Sequence, residues 1–278
     1  MPRKKICIVS GSRAEFGLLR FVIEGVKNSS LLDLQLIVTG MHLSTDHGLT
    51  YKEIEECGFK IDKKIETVLA SDTPSSITKS AGLGLMGFAQ SFRELNPDCL
   101  VILGDRYEVF VCAIAALFFK IPIVHIHGGE LTKGSFDDAI RHSITKMSWF
   151  HFVASEEYKD RVIQLGENPK MIFNFGAPGA ENALNLKKNS YSRKKNILIT
   201  YHSQTKQNFF KDLKILNNIF KLIKKNKAHY YVFTNSNSDP GGIKLNKKIN
   251  LFCSKNKKNC KNLYSKGHNA YLELMKNS

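Results

Sequence analysis

The sequence predicts an α/β protein: one complete doubly wound domain over residues 1–185, then an incomplete unit of the same kind over residues 186–278. Two apolar runs, Cys99 to Leu103 and Ile121 to Ile126, each give way to a polar cluster, and the helical segment between them is apolar nearly all round. That is the pattern of a strand–helix–strand crossover buried on both faces. In open parallel sheets ligands collect beyond the carboxyl ends of the strands, which is where GDRYE and HIHGGE fall, so this stretch is the expected floor of an active site.

Taken in order, KKICIVS is a short buried strand, and GSRAEFG is a turn feeding a helix from Glu15 to Lys27. The turn holds a single glycine before the helix, so it is not GxGxxG and gives little support to a dinucleotide site. Arg13, expected on the loop at the strand's end, could grip a phosphate bidentately or could be an ordinary surface arginine. LDLQLIVTG is the second strand. The long loop after it carries His42 and His47, and loops of that length are commonly functional. KIDKKIE alternates in polarity, as an edge strand does. Asp72, Thr73 and Pro74 open a long helix whose middle, SAGLGLMGF, is rich in glycine. Each helical glycine costs about 0.5–1 kcal/mol against alanine, which points to close approach of a neighbour or ligand.

After the central crossover, DDAIRHSITKMSWF is a helix opened by Asp137 and Asp138, residues equally at home as caps and dipole partners. FHFVAS is a strand, SEEYKDRVIQLG a helix and MIFNFGAPG a last strand, for up to seven strands in the first domain. NLKKNSYSRKKN reads as a polar linker, placing a boundary near residue 185. NILITYHS restarts the pattern with a strand ending at His202, followed by an amphipathic helix, a further strand and turn, and a C-terminal helix.

Composition bounds the function. Hydrophobic residues make up 42% of the 278, ample for a packed core. The apolar run behind MPRKK is shorter than a signal-peptide core, and Val109 to Phe119 falls far below the roughly 18 residues that span a bilayer. A cytoplasmic protein without a membrane segment is expected. Six scattered cysteines, with no CxxC pair, read as buried free thiols. The net charge of +16 belongs to the last third: residues 1–185 hold 20 basic and 22 acidic side chains, residues 186–278 hold 21 and 3. That could mark a polyanion surface, but the lysines come with asparagine, without the aromatic interleaving of a base-reading face, so no nucleic-acid partner is expected.

The set GSRAEFG, GDRYE, HIHGGE, FDDAIRHSITK, FNFGAPG, ITYHSQTKQN and VFTNSNSDPGG strongly resembles the hydrolysing UDP-N-acetylglucosamine 2-epimerases, which make N-acetylmannosamine or a related 2-epimer for bacterial nonulosonic acids. The resemblance covers essentially the whole chain. It implies a glycosyltransferase-B-like fold, a UDP-sugar substrate, no cofactor and a homo-oligomer. It marks Asp105 and Asp137 as catalytic carboxylates, with Glu130 or His127 in the place where other members carry HIEGGE. It marks Arg13 as a phosphate or active-site contact and His202 as a histidine near the diphosphate, with Arg106 and His142 as further residues binding substrate or UDP.

The implied reaction explains those residue types. C2–H of the sugar is weakly acidic, so a positioned carboxylate or imidazole must take its proton as the C1–O bond to UDP breaks. Acids sharing a cleft raise one another's pKa, which leaves one protonated to act as acid when water adds to the glycal. No step demands a metal, and although His125 and His127 would share a strand face, no third ligand at zinc-site spacing follows. A glycosyltransferase of the same architecture and a non-catalytic UDP-sugar-binding remnant are the competing readings. About 90 residues follow Asn185, fewer than the 100–150 or so usual for such a domain, so the chain is expected to be cut short and to lack full activity by itself.

Overall fold

A computed structural model of the chain describes residues 2–69, 71, 73–133, 135–179, 195–202, 209–236, 241–263, 268–276 and 278. Asp72, proposed as a helix opener, and most of the polar linker lie outside these residues. The chain divides into two compact units, Met1–Leu69 with Ile77–Glu181, and Ala70–Ser76 with Asn182–Ser278.

In the first unit the chain runs β1 (Lys4–Ser10), α1 (Arg13–Asn28), β2 (Leu32–Thr39), two 3-10 turns (Gly40–Leu43 and Thr45–His47), α2 (Tyr51–Glu56), β3 (Lys63–Ile65) and α3 (Pro74–Leu95), which belongs to this unit from Ile77 onward. It continues through β4 (Cys99–Leu103), α4 (Tyr107–Phe118), β5 (Ile123–Ile126), α5 (Asp137–Met147), β6 (Phe150–Val153), α6 (Glu156–Gln164) and β7 (Ile172–Asn174). The described strands form one seven-stranded sheet in the order β3-β2-β1-β4-β5-β6-β7, and every pairing is parallel.

Alternation along each strand divides the core in two. Cys7, Val9, Ile37, Leu100, Ile102 and Ile123 pack on one face with Phe88 and Phe92 of α3, Val109 and Cys112 of α4 and Ile144 of α5. Ile8, Leu36, Val38, Val101, Leu103 and Ile126 pack on the other with Phe16, Leu19 and Ile23 of α1 and Ile54 of α2. Burial on both faces is why the sequence shows continuous apolar runs there. β3 is the exception, and as an edge strand it keeps its polar positions. The sheet winds outward from β1 in one direction and from β4 in the other, so the switch point, where a crevice opens beyond the strand ends, lies between those two strands.

The second unit holds β8 (Asn196–Thr200), α7 (Phe209–Lys225), β9 (Tyr230–Thr234), α8 (Gly242–Lys255), β10 (Cys260–Leu263) and α9 (His268–Lys276). Its described strands form a three-stranded parallel sheet in the order β10-β9-β8. Leu216 and Ile223 of α7 and Leu245, Ile249 and Phe252 of α8 share a core with Phe233, and Phe220 stacks on Phe252 with 3.9 Å between centroids. All six cysteines are free thiols, and Cys7, Cys112, Cys253 and Cys260 are buried. Among the described residues no helix is long and apolar enough to cross a membrane.

Candidate active site

At the switch point the turns after β1 and β4 are joined by buried charge. Ser12 caps α1 by accepting from the Glu15 amide, while Glu15 reaches back so that its Oε2 accepts from the Gly11 N–H at 2.6 Å. Its Oε1 lies 3.6 Å from Nε of Arg106, whose Nη2 donates to Glu108 at 3.0 Å. Glu15 and Glu108 are 5% and 1% exposed, so two enclosed carboxylates share one guanidinium. Burial pushes the Glu15 carboxyl up to about 7, with Arg106 and the two amide contacts opposing and Glu108 adding to the rise. Oε2 of Glu108 is buried without a hydrogen-bond partner among the described residues.

Beside this cluster His42 is fully buried and joins the β2 turn to β1. The Ser10 hydroxyl donates to the Ser12 carbonyl, so its oxygen accepts from Nε2–H of His42 at 2.9 Å, and Nδ1 accepts from the Thr50 hydroxyl at 2.8 Å. Both ring nitrogens serve the fold, and burial lowers the ring's pKa to about 4.

The second centre lies at the ends of β4 and β5. Arg141, 4% exposed, projects from α5 and forms an ion pair with Asp105 on the β4–α4 turn. The same guanidinium donates to Asp138 at 3.0 Å, to the Glu130 carbonyl at 2.7 Å and to the Thr132 hydroxyl at 3.1 Å. Asp138 also accepts from the Thr132 N–H at 2.7 Å. The turn after β5 is thereby tied to α5 on one side, and Arg161 of α6 donates to the Gly129 carbonyl on the other. Gly129 has a φ of +82°, and a Cβ there would run into the Tyr158 backbone, so the position requires glycine.

Within that turn Nδ1 of His127 donates to the Glu130 carboxylate. Nε2 of the same ring is enclosed, with no hydrogen-bond partner among the described residues. His127 sits at a φ of +66°, a left-handed conformation that costs a non-glycine residue roughly 1–3 kcal/mol and clusters at functional sites. This corrects the expectation that His125 and His127 share a strand face: β5 ends at Ile126, and the left-handed turn breaks the alternation. His125 is instead buried, donating from Nε2 to the Gly104 carbonyl at 2.8 Å and lying 3.2 Å from the Thr145 hydroxyl, and burial holds its pKa near 4.

The structure thus brings Asp105, His127 and Glu130 to neighbouring strand ends, and it redistributes other candidates. Asp137 begins α5, its N–H donating to the Ser135 hydroxyl, while Asp138 is the member of the pair that bonds Arg141. Arg13 is the first residue of α1 rather than a loop residue, because Ser12 caps the helix and starts it two positions before Glu15, where the sequence suggested it begins. The guanidinium of Arg106 engages Glu15 and Glu108. His142 projects about 100° around α5 from Arg141. It lines a groove with Phe110, Ile114, Lys146 and Met147, with its pKa lowered mainly by burial. His202 belongs to the second unit, where its Nδ1 lies 3.5 Å from the Ser236 hydroxyl. Sequence reasoning missed Arg141, Glu15 and Glu108; the spacing Ser12-x-x-Glu15 was the one available signal, since it is that of a capping box.

Comparison with known proteins agrees with this architecture. The family model described as UDP-N-acetylglucosamine 2-epimerase matches residues 24–278. A Campylobacter jejuni protein named GDP/UDP-N,N'-diacetylbacillosamine 2-epimerase (hydrolyzing) is 43% identical, covering 99% of this chain and 74% of its own length. The Escherichia coli polysialic acid biosynthesis protein P7 is 37% identical over 99% of this chain and 72% of its own. In fold, the chain is similar to the Methanocaldococcus jannaschii UDP-GlcNAc 2-epimerase, solved in complex with UDP-GlcNAc and UDP, at a TM-score of 0.80 and 21% identity over 98% of this chain and 76% of that one. The α/β fold is therefore the glycosyltransferase-B-like fold of those enzymes, and the chain belongs to the UDP-N-acetylglucosamine 2-epimerase family, among its hydrolysing UDP-sugar 2-epimerases.

Proposed function

We propose that the chain is a hydrolysing 2-epimerase whose substrate is a UDP-linked 2,4-diacetamido sugar of the N,N'-diacetylbacillosamine type. The observation that carries the reading is the convergence of Asp105 with the His127–Glu130 pair at neighbouring strand ends. The choice of sugar rests on 43% identity, along 99% of the chain, to a protein named for that substrate. In this reading the first unit carries the acid–base groups and residues 186–278 bind the nucleotide.

A base takes the proton from C2, the C–H electron pair becomes the C1=C2 double bond, and the C1–O bond breaks with its pair leaving on UDP. Water then adds its hydroxyl to C1, and a proton returns to C2 on the opposite face, giving the free 2-epimer. Asp105, Asp137 and the His127–Glu130 pair supply the proton-transfer groups, each step gaining what general acid–base catalysis provides. Arg13 and His202 offset the charge that accumulates on departing UDP.

The test is to incubate the chain, without any acceptor, with UDP-N,N'-diacetylbacillosamine and separately with UDP-N-acetylglucosamine. UDP and the free 2-epimer are expected from the first above the enzyme-free control, and at least about tenfold faster than from the second, the scale on which a site discriminates one substituent. Faster turnover of UDP-N-acetylglucosamine would overturn the sugar. Strict dependence on an acceptor would indicate a glycosyltransferase, and UDP binding without turnover a binding protein.

A further inference from the structure

We propose that Arg141 is a positioning residue for the 2-epimerisation, one guanidinium that fixes Asp105 and the His127–Glu130 turn in a single arrangement. The proposal rests on the functional reading above and deepens it. Three separate elements end on this side chain. The β4–α4 turn supplies the Asp105 carboxylate, the β5–α5 turn supplies the Glu130 carbonyl and Thr132 hydroxyl, and α5 supplies Asp138.

The arrangement is one that a planar, five-donor fork can make and an ammonium cannot. Nη1 takes the Glu130 carbonyl and Asp138, and Nη2 takes Asp105 and Thr132. Asp138 closes the loop by accepting from the Thr132 amide at 2.7 Å, so the residue beside Glu130's neighbour is held from both backbone and side chain. The side chain of Arg141 is only 5% exposed against 21% for Asp105 and 29% for Glu130, so the cation lies beneath the two acids rather than in front of them. Burial lowers the pKa of Arg141, with Tyr158 opposing; Asp105 and Asp138 are the carboxylates paired with it, and His142 stands beside it on α5.

Arg141 thus touches the groups that do the chemistry instead of the substrate. Its loss should relax the separation between Asp105 and Glu130, and a displacement of about 1 Å in a catalytic constellation costs on the order of 100-fold in rate.

Arg141→Ala is therefore expected to lower kcat on the order of 100-fold while KM for the UDP-sugar changes by less than about threefold, because no substrate contact is removed. Millimolar guanidinium chloride should restore at least about tenfold of the lost kcat in Arg141→Ala and leave the unsubstituted chain unaffected. Arg141→Lys keeps the charge without the fork and should fall between the two, and it serves as the test should the alanine variant fail to fold. A fall of less than about tenfold in kcat for Arg141→Lys and Arg141→Ala alike, or a folded Arg141→Ala chain that guanidinium does not rescue, would overturn the proposal with the function intact. An unsubstituted chain that turns over neither UDP-sugar would instead remove the functional reading, and this proposal with it.

Discussion

Glu15 shows what a residue can reveal that local pattern cannot. Its carboxyl is enclosed between the Gly11 amide and Arg106, and burial lifts its pKa from the ordinary 4.5 to about 7. The folded chain thus keeps a proton that the unfolded chain releases near pH 4.5. Stability from that proton is full below 4.5 and is lost as pH rises through 7, a difference on the order of 3 kcal/mol at about 1.4 kcal/mol per unit. Denaturant midpoints at pH 5 and pH 8 should therefore fall more steeply for the natural chain than for Glu15→Gln; parallel pH dependence in the two would contradict this account of Glu15. The turns that carry Asp105, His127 and Glu130 were legible in the sequence as strand ends, because GDRYE and HIHGGE each close an apolar run; the roles expected of the three residues came from the family resemblance. Arg141 was not, since its partner Asp105 is 36 residues away and nothing in either local pattern records a pairing made only by the fold.

Among the elements, α3 shows both the reach and the limit of reading glycine from sequence. Its glycines were expected to admit a close neighbour, and two do: a Cβ at Gly84 would meet Val111 Cγ2 at 3.1 Å, and one at Gly87 would overlap Ile65 Cγ2. Gly82, in the same helix, faces open space. Gly82→Ala should accordingly stabilise the chain by about 0.5–1 kcal/mol, the helical difference between the two residues. Gly129→Ala should destabilise it by at least about 2 kcal/mol, through the left-handed φ and the collision with Tyr158. Thermal unfolding of the two variants checks both signs, and a neutral Gly129→Ala would show that the turn after β5 is not held against α6 as described. The seven strands of the first unit were readable because central parallel strands are apolar throughout and an edge strand alternates. β10 escaped because CKNL has neither pattern, being a short edge strand of the second sheet whose side chains are partly solvated. α8 escaped for a related reason, its apolar stripe of Leu245, Ile249 and Phe252 being interrupted by lysine and asparagine.

For the whole molecule, the asymmetry of charge acquires a structural meaning. Every lysine of α7 and α8 is exposed, on faces opposite the buried Leu216, Ile223, Leu245 and Ile249. Nine of the 21 basic side chains of the last third therefore lie on the solvated faces of two amphipathic helices, in keeping with the pairing of lysine with asparagine. The order of strands, by contrast, could not be read from the sequence; it is the winding from β1 and from β4 in opposite directions that places the acidic turns at a crevice. The central claim, elimination followed by hydration at those turns, is tested most directly by running the reaction in oxygen-18 water and, separately, in deuterium oxide. The account predicts that the free 2-epimer carries oxygen-18 at C1 and one deuterium at C2, and that UDP carries no oxygen-18. Oxygen-18 in UDP, or a released sugar with no deuterium at C2, would contradict it.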